Sequence, residues 1–334
     1  MKARKSKQAK KARMSVPCEV FAILAFLAFF AFFIPQSSSA SSRRTSPLSY
    51  RRMYARLLSG REAADALLKK LKPKVKKLNP KLVVVQVGDD PASTSYIKQK
   101  MRSCETVGMR YEHKHLKANT PFKTLMTLVK QLNADRDVTG FIVQVPLPDP
   151  LQSHVPEIIR AIDPKKDVDG FGAYNLGKMF LSKDFEHLPP ATPGGIIALL
   201  EHFKIPVAGK HVVVVGRSNT VGKPIGVMLL NRDATVTICH RQTKNLASYT
   251  KQADILIAAV GKPKLITGSM VKPGVVVIDV GVNRTEQGLA GDVDFAAVSK
   301  KASAITPVPG GVGPMTVASL IRNCVIAKER QMKR

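Results

Sequence analysis

From Leu82 onward the chain alternates short apolar runs with amphipathic stretches, and this alternation restricts its fold more than any other feature. "LVVVQVG" reads as a strand and "STSYIKQKMRSCETVG" as a helix, followed by the helix "FKTLMTLVKQLNA", the strand "TGFIVQVPLP" and the helix "HVPEIIRAI". Strands this uniformly apolar, joined by helices, pack as a parallel sheet covered on both faces. After a loop "PATPGG" (Pro190 to Gly195) and a helix "GIIALLEHF", a second strand series begins: "HVVVVG", "ATVTICH", "DILIAAVG" and "VVVIDVGV". The chain closes in "TVASLIRNCVIAKER", a helix free to pack back on the first domain. The expected class is α/β: two α/β domains, the second Rossmann-like in its alternation of strands and helices. The expected boundaries are 53–192 for the first domain, 193–306 for the second and 307–334 for a site loop plus the returning helix.

Residues 1–52 stand apart. A basic run, the apolar run Val20 to Ile34 and small residues around Ser38-Ser39-Ala40 read as a secretory signal, a membrane anchor or part of an organelle presequence. The apolar run is shorter than the ~18 residues a spanning helix wants. A start at Met53, with the upstream residues an extension, is the competing reading.

The formal net charge is +29, and residues 1–52 hold eleven Lys and Arg against one acid, Glu19. Such an excess raises polyanion binding. The lysines of the remainder are scattered, however, with no aromatic platform, zinc-finger spacing or RNA-binding signature, so no specific nucleic-acid partner is indicated. Cys18, Cys104, Cys239 and Cys324 are far apart without a C-x-x-C, so they read as reduced core thiols, and no metal site is indicated.

"VVVVGRSNTVGKP" places Gly216 at a strand end, Ser218 two residues on and Gly222 opening a helix, a geometry suited to a phosphate. Ser218 stands where the middle glycine of the dinucleotide fingerprint would be, so the motif alone is weak. An NAD enzyme commonly carries an acid at the end of the next strand. Here that end reads Cys239-His240-Arg241, and Arg241 with Arg217 suits a 2′-phosphate, which favours NADP and leaves NAD possible. The alternatives are Arg241 as a plain solvated arginine, and the arginine pair with the nearby Asp233 holding inorganic phosphate and a metal beside NAD.

Three further features carry chemistry. Tyr96 and Lys100 are spaced i and i+4 on one helix face, which by itself is most often an exposed pair. Gln144 interrupts an apolar strand and, buried, needs a partner: a backbone group, a lysine or a substrate carbonyl. Asp167 and Asp169 in "KKDVDGF" read as turn residues or as acceptors for a ring bearing N–H donors. Finally, "PVPGGVGPMT" (Pro307 to Thr316) is too rich in proline and glycine for a helix or central strand. It reads as a stiff, side-chain-poor loop that lets backbone approach a flat ligand.

In order, "SYIKQK", "GFIVQVPLP", "KKDVDGF", "TPGG", "GRSNTVGKP", "DVGVNR" and "TPVPGGVGPMT" resemble signatures of the bifunctional methylenetetrahydrofolate dehydrogenase/cyclohydrolase (FolD) family, across nearly all of residues 53–330. The resemblance implies oxidation of 5,10-methylenetetrahydrofolate with NADP, then hydrolysis to 10-formyltetrahydrofolate. It implies Lys100 as acid/base of the hydrolysis, Tyr96 against the substrate, Gln144 orienting Lys100, and Asp169 on the pterin. Pro307, Gly310 and Gly311 would wall the folate, while Gly216, Arg217, Ser218 and Val282 would bind the dinucleotide. The sequence departs from the commoner family form at Ala191, where Cys is frequent, and at Arg241, where Ser is common. A homodimer, a polyglutamylated folate and a cytoplasmic location are the implied surroundings, with membrane association only if the N-terminal apolar segment is retained. A single-activity member, and an inactive protein using its basic surface, are the alternatives.

Overall fold

The computed structural model describes residues 55–286 and 288–333. The readings of residues 1–52 and of a start at Met53 fall outside the described residues. In chain order the first part comprises β1 (Arg56–Leu57), α1 (Gly60–Leu78), β2 (Lys81–Val87), α2 (Pro91–Val107), β3 (Arg110–Leu116), α3 (Phe122–Ala134), β4 (Gly140–Val143), α4 (Val155–Arg160) and α5 (Ala173–Met179). The second comprises α6 (Ala191–His202), β5 (His211–Val215), α7 (Gly222–Leu230), β6 (Thr235–Cys239), α8 (Leu246–Thr250), β7 (Ile255–Ala258), β8 (Val276–Asp279), β9 (Asn283–Thr285), β10 (Gly288–Ala290), α9 (Phe295–Val298), β11 (Ala304–Ile305) and α10 (Val312–Met332).

β2 is the centre of a three-stranded parallel sheet in the order β3-β2-β4, and its residues Leu82 to Val85 are buried on both faces, as a covered parallel strand requires. The second sheet is parallel and six-stranded, in the order β1-β11-β8-β7-β5-β6. β1 therefore pairs in the second sheet, although the sequence reading gave its residues to the first domain. α10 packs against α1, α2 and α6, so the returning helix joins first-part and second-part elements.

Local chemistry sets the helix that matters most. Asp90 caps α2 by accepting the Ser93 N–H at 2.6 Å, Pro91 fills its first turn, and Gly108 ends it with φ +73. Lys100 and Tyr96 are thereby held in the middle of a rigid element.

Several expectations need correction. β3 is absent from the sequence reading because "RYEHKHL" is polar; it is an edge strand whose side chains are half-exposed, with Lys81 and Lys114 pairing on Glu112. The strand expected through "TGFIVQVPLP" ends at Val143, and Gln144 lies just beyond it. "PATPGG" is not a loop up to Gly195: Ala191 already begins α6, and Gly195 is bare because a Cβ there would meet the Met315 carbonyl of α10 at 2.7 Å. Likewise α10 starts at Val312, taking Gly313 and Pro314 into its first turn, where proline loses no hydrogen bond. The antiparallel pair β9–β10 was also missed. Among the described residues no helix is long and apolar enough to cross a membrane, and no group of three His, Cys, Asp or Glu is placed to hold a metal. Cys104, Cys239 and Cys324 are buried free thiols, and burial pushes the Cys104 thiol up to about 12.

Candidate active site

Lys100 is buried at 8 % exposure on α2, and its Nζ donates to Gln144 Oε1 at 2.8 Å. The Gln144 amide also donates to the Val145 carbonyl at 2.8 Å, which fixes which end of the side chain faces the lysine. Gln144 thus has both the backbone partner and the lysine partner that the sequence left open. Burial pushes the Lys100 ammonium below the usual lysine range, and the Asp169 carboxylate opposes that shift. Burial in turn raises Asp169, with Lys100 pulling it down.

The two aspartates of "KKDVDGF" separate cleanly. Asp167 accepts the Gly170, Phe171 and Gly172 N–H groups and the Asn175 amide, at 3.0, 3.3, 2.8 and 2.9 Å, so its carboxylate is consumed in building the turn. Of the two readings left open for Asp167, turn residue and ring acceptor, the structure has the first. Asp169, half-buried beside Lys100, takes no side-chain hydrogen bond from the described residues and keeps its acceptors free. Asn323 of α10 fastens this turn from behind, donating to the Val168 and Pro189 carbonyls at 2.9 and 2.8 Å. Sequence reasoning missed it; the signal was an asparagine inside the apolar run "SLIRNCVIA".

Tyr96, one turn before Lys100, lines a cleft of about 690 Å³. Val282, Pro307, Gly310 and Gly311 line the same cleft, so residues from α2, the β8–β9 connection and the proline-glycine loop meet there. The loop is seated on the start of α1: the Arg61 N–H donates to the Gly310 carbonyl at 3.2 Å, and Gly310 sits at φ +100. Arg61, Arg102 and Arg284, none of them singled out from sequence, stand on the cleft wall. Asp279 reaches it from the end of β8, where it accepts the Gly281, Asp292 and Val293 N–H groups and is pushed up to about 6 by burial. The sequence signal for Asp279 was an acid ending the run "VVVIDVGV".

Lys100, Gln144 and Asp169 are not among the residues lining that cleft, and neither are Gly216, Arg217, Ser218 and Arg241. The latter four lie at the carboxyl ends of β5 and β6, where a parallel sheet presents its loops to a ligand. The turn packs tightly on the protein's own backbone: Gly216 has φ +132, a Cβ on it would meet the Ala259 carbonyl at 2.1 Å, and one on Gly222 would meet the Gly216 carbonyl at 2.1 Å. Only a side-chain-free turn allows that approach. The Ser218 hydroxyl accepts the Val221 and Gly222 N–H groups at 3.1 and 3.2 Å, just before α7. Arg217 and Arg241 are both exposed.

Comparison with known proteins places the chain in a family. The tetrahydrofolate dehydrogenase/cyclohydrolase catalytic domain matches residues 58–169, and the NAD(P)-binding domain of the same family matches residues 190–332. A bifunctional protein FolD from Exiguobacterium sibiricum is 49% identical over 278 residues, 81% of this chain and 98% of the relative. The crystal structure of the bifunctional FolD dehydrogenase/cyclohydrolase from Campylobacter jejuni superposes with TM-score 0.78 at 44% identity, covering 82% of this chain and 99% of that one. The Trypanosoma brucei enzyme, solved with NADP and an inhibitor, gives TM-score 0.79 at 32% identity, covering 84% and 99%. This chain belongs to the tetrahydrofolate dehydrogenase/cyclohydrolase family.

Proposed function

We propose that this chain oxidises 5,10-methylenetetrahydrofolate to the 5,10-methenyl cation with NADP and hydrolyses that cation to 10-formyltetrahydrofolate. The observation that carries the reading is the buried Lys100 Nζ held 2.8 Å from Gln144 Oε1, with the free carboxylate of Asp169 beside it and Tyr96 one turn away on the cleft. Bound NADP supplies the nicotinamide that accepts the hydride. The chain's contribution to that step is position: the bare wall Pro307–Gly311 lets the folate rings lie flat, and Asp169 accepts from the pterin N–H donors. In the second step water adds to the methenyl carbon and Lys100 as free amine takes a proton from that water; the protonated lysine then returns a proton to N5 as the carbon–N5 bond breaks, and the hydroxyl gives up its own proton to leave the 10-formyl group. A lysine at its ordinary ~10.4 is a poor base at neutral pH. Burial supplies the downward shift, and a cationic substrate beside it adds to it.

The experiment is a spectroscopic assay with 5,10-methylenetetrahydrofolate and either NADP or NAD, following reduced nicotinamide and the methenyl form together. Reduction without methenyl accumulation supports both activities; no turnover with either cofactor removes the proposal.

NADP preference rests on Arg217 and Arg241 and on the missing acid at the end of β6. Arg241→Ala is expected to raise the KM for NADP about tenfold while leaving that for NAD unchanged, a shift of ~1.4 kcal/mol for a lost charge-assisted contact. An unaltered ratio of the two KM values would refute the assignment.

The arginines Arg61, Arg102 and Arg284 on the cleft wall support a polyglutamylated folate as substrate. The KM for a long-tailed substrate is then expected to rise with ionic strength more steeply than that for the monoglutamate. The open edge of β6, with Ile238 and Leu230 exposed beside it, supports a homodimer, which a one-chain mass by light scattering would exclude. A cytoplasmic location fits a protein acting on folates and NADP, and fractionation of cells expressing the whole chain tests it.

A further inference from the structure

A second cavity, of about 570 Å³, shares no residue with the folate cleft. Lys165, Tyr174, Lys178, His187, Arg330 and Lys333 line it, brought together from the "KKD" turn, α5, the segment before α6 and the end of α10. Asp163 is the only carboxylate among its lining residues, and that side chain already accepts the Lys165 backbone N–H at 2.8 Å. Among the described residues no carboxylate lies within ion-pair distance of Lys165, Lys178, Arg330 or Lys333. Most cations among the described residues of this basic chain lack a carboxylate partner, so what sets these four apart is their convergence on one cavity.

The ends of α5 and α10 offset some of this charge, but a helix terminus supplies only about half an elementary charge. Four cations therefore exceed what the two helices neutralise. Their field is felt inside the cavity: burial, Arg330 and Lys178 together hold the His187 imidazole below its usual range. Tyr174 adds a flat surface, 59% exposed, with Lys178 Nζ 5.0 Å from its ring centroid.

We infer that this cavity binds a nucleoside triphosphate, its phosphates against Lys165, Lys178 and Arg330 and its base against Tyr174. The convergence of unpaired cations calls for a polyanion, the exposed ring beside them for a planar group, and the volume suits a ligand of that size.

Calorimetric titration of the full chain with ATP tests this, using Lys178→Gln/Arg330→Gln and Tyr174→Ala as variants. None of these residues belongs to the folate or dinucleotide machinery, so NADP-dependent turnover and melting temperature serve as controls of folding. The double variant is expected to lose at least tenfold in affinity for the ATP site, and Tyr174→Ala to lose the preference for ATP over inorganic triphosphate. Binding undiminished in the double variant, or no binding by the wild-type chain, overturns the site. A preference unchanged by Tyr174→Ala overturns the placement of the base.

Discussion

Lys100→Met is expected to lower the rate of methenyl hydrolysis by about 10²–10⁴-fold, the usual contribution of a positioned general base. The replacement is nearly isosteric and apolar, and the site is already one where burial disfavours the ammonium, so the fold should survive it. The partly exposed Gln144 loses its donor at 2.8 Å but can turn to water. In the coupled assay the methenyl form should then accumulate while reduced nicotinamide still appears. The pH profile supplies a second readout. The base must be the free amine, so wild-type hydrolysis rises as pH climbs through the depressed Lys100 value, and Asp169, which favours the protonated lysine, holds that limb up. The rise should lie below the ordinary lysine range of ~10.4. Undiminished hydrolysis by Lys100→Met would refute the role.

Gly60→Ala is the second large effect, and it touches no reacting atom. A Cβ at Gly60 would stand 1.6 Å from the Gly311 carbonyl oxygen, a contact that only backbone movement can relieve. Either α1 withdraws or the Pro307–Gly311 wall shifts into the cleft, and the same wall is tied to α1 through Arg61 N–H and Gly310. The expected cost is on the order of 1–3 kcal/mol in stability, as for overpacking. Both activities should fall together, because the wall serves both, and a thermal melt with the two-wavelength assay checks each part. A melt and a folate KM matching the wild type would show that the seat of the loop on α1 does not matter.

What sequence could reveal follows from how local each signal is. The buried strands β2, β5, β7 and β8 were legible because a covered parallel strand must be apolar throughout, and α2 and α3 because their periodicity is their own. β3 was not, since its polar residues make an edge strand only through pairing with β2. Gly60 gives no local sign either: its need to be bare comes from Gly311, 251 residues on, brought to it by the fold. The glycines of "TPGG" were read as loop because a helix rarely opens on them, yet the close approach of α10 is what demands them. Lys100, Gln144 and Asp169 were legible as candidates from residue type and from the family resemblance. That Asp167 is consumed by its own turn, and that the Ser218 hydroxyl holds the backbone just before α7, depended on hydrogen bonds that no spacing announces.

The pairing of β1 with β11 bears on synthesis. Arg56–Leu57 is among the first of the described segments to leave the ribosome, and its partner Ala304–Ile305 is among the last, as is α10, on which α1 rests. Neither β1 nor α1 can complete its contacts until nearly the whole chain has emerged, so the first half has no finished state of its own to wait in. Folding is expected to be largely post-translational.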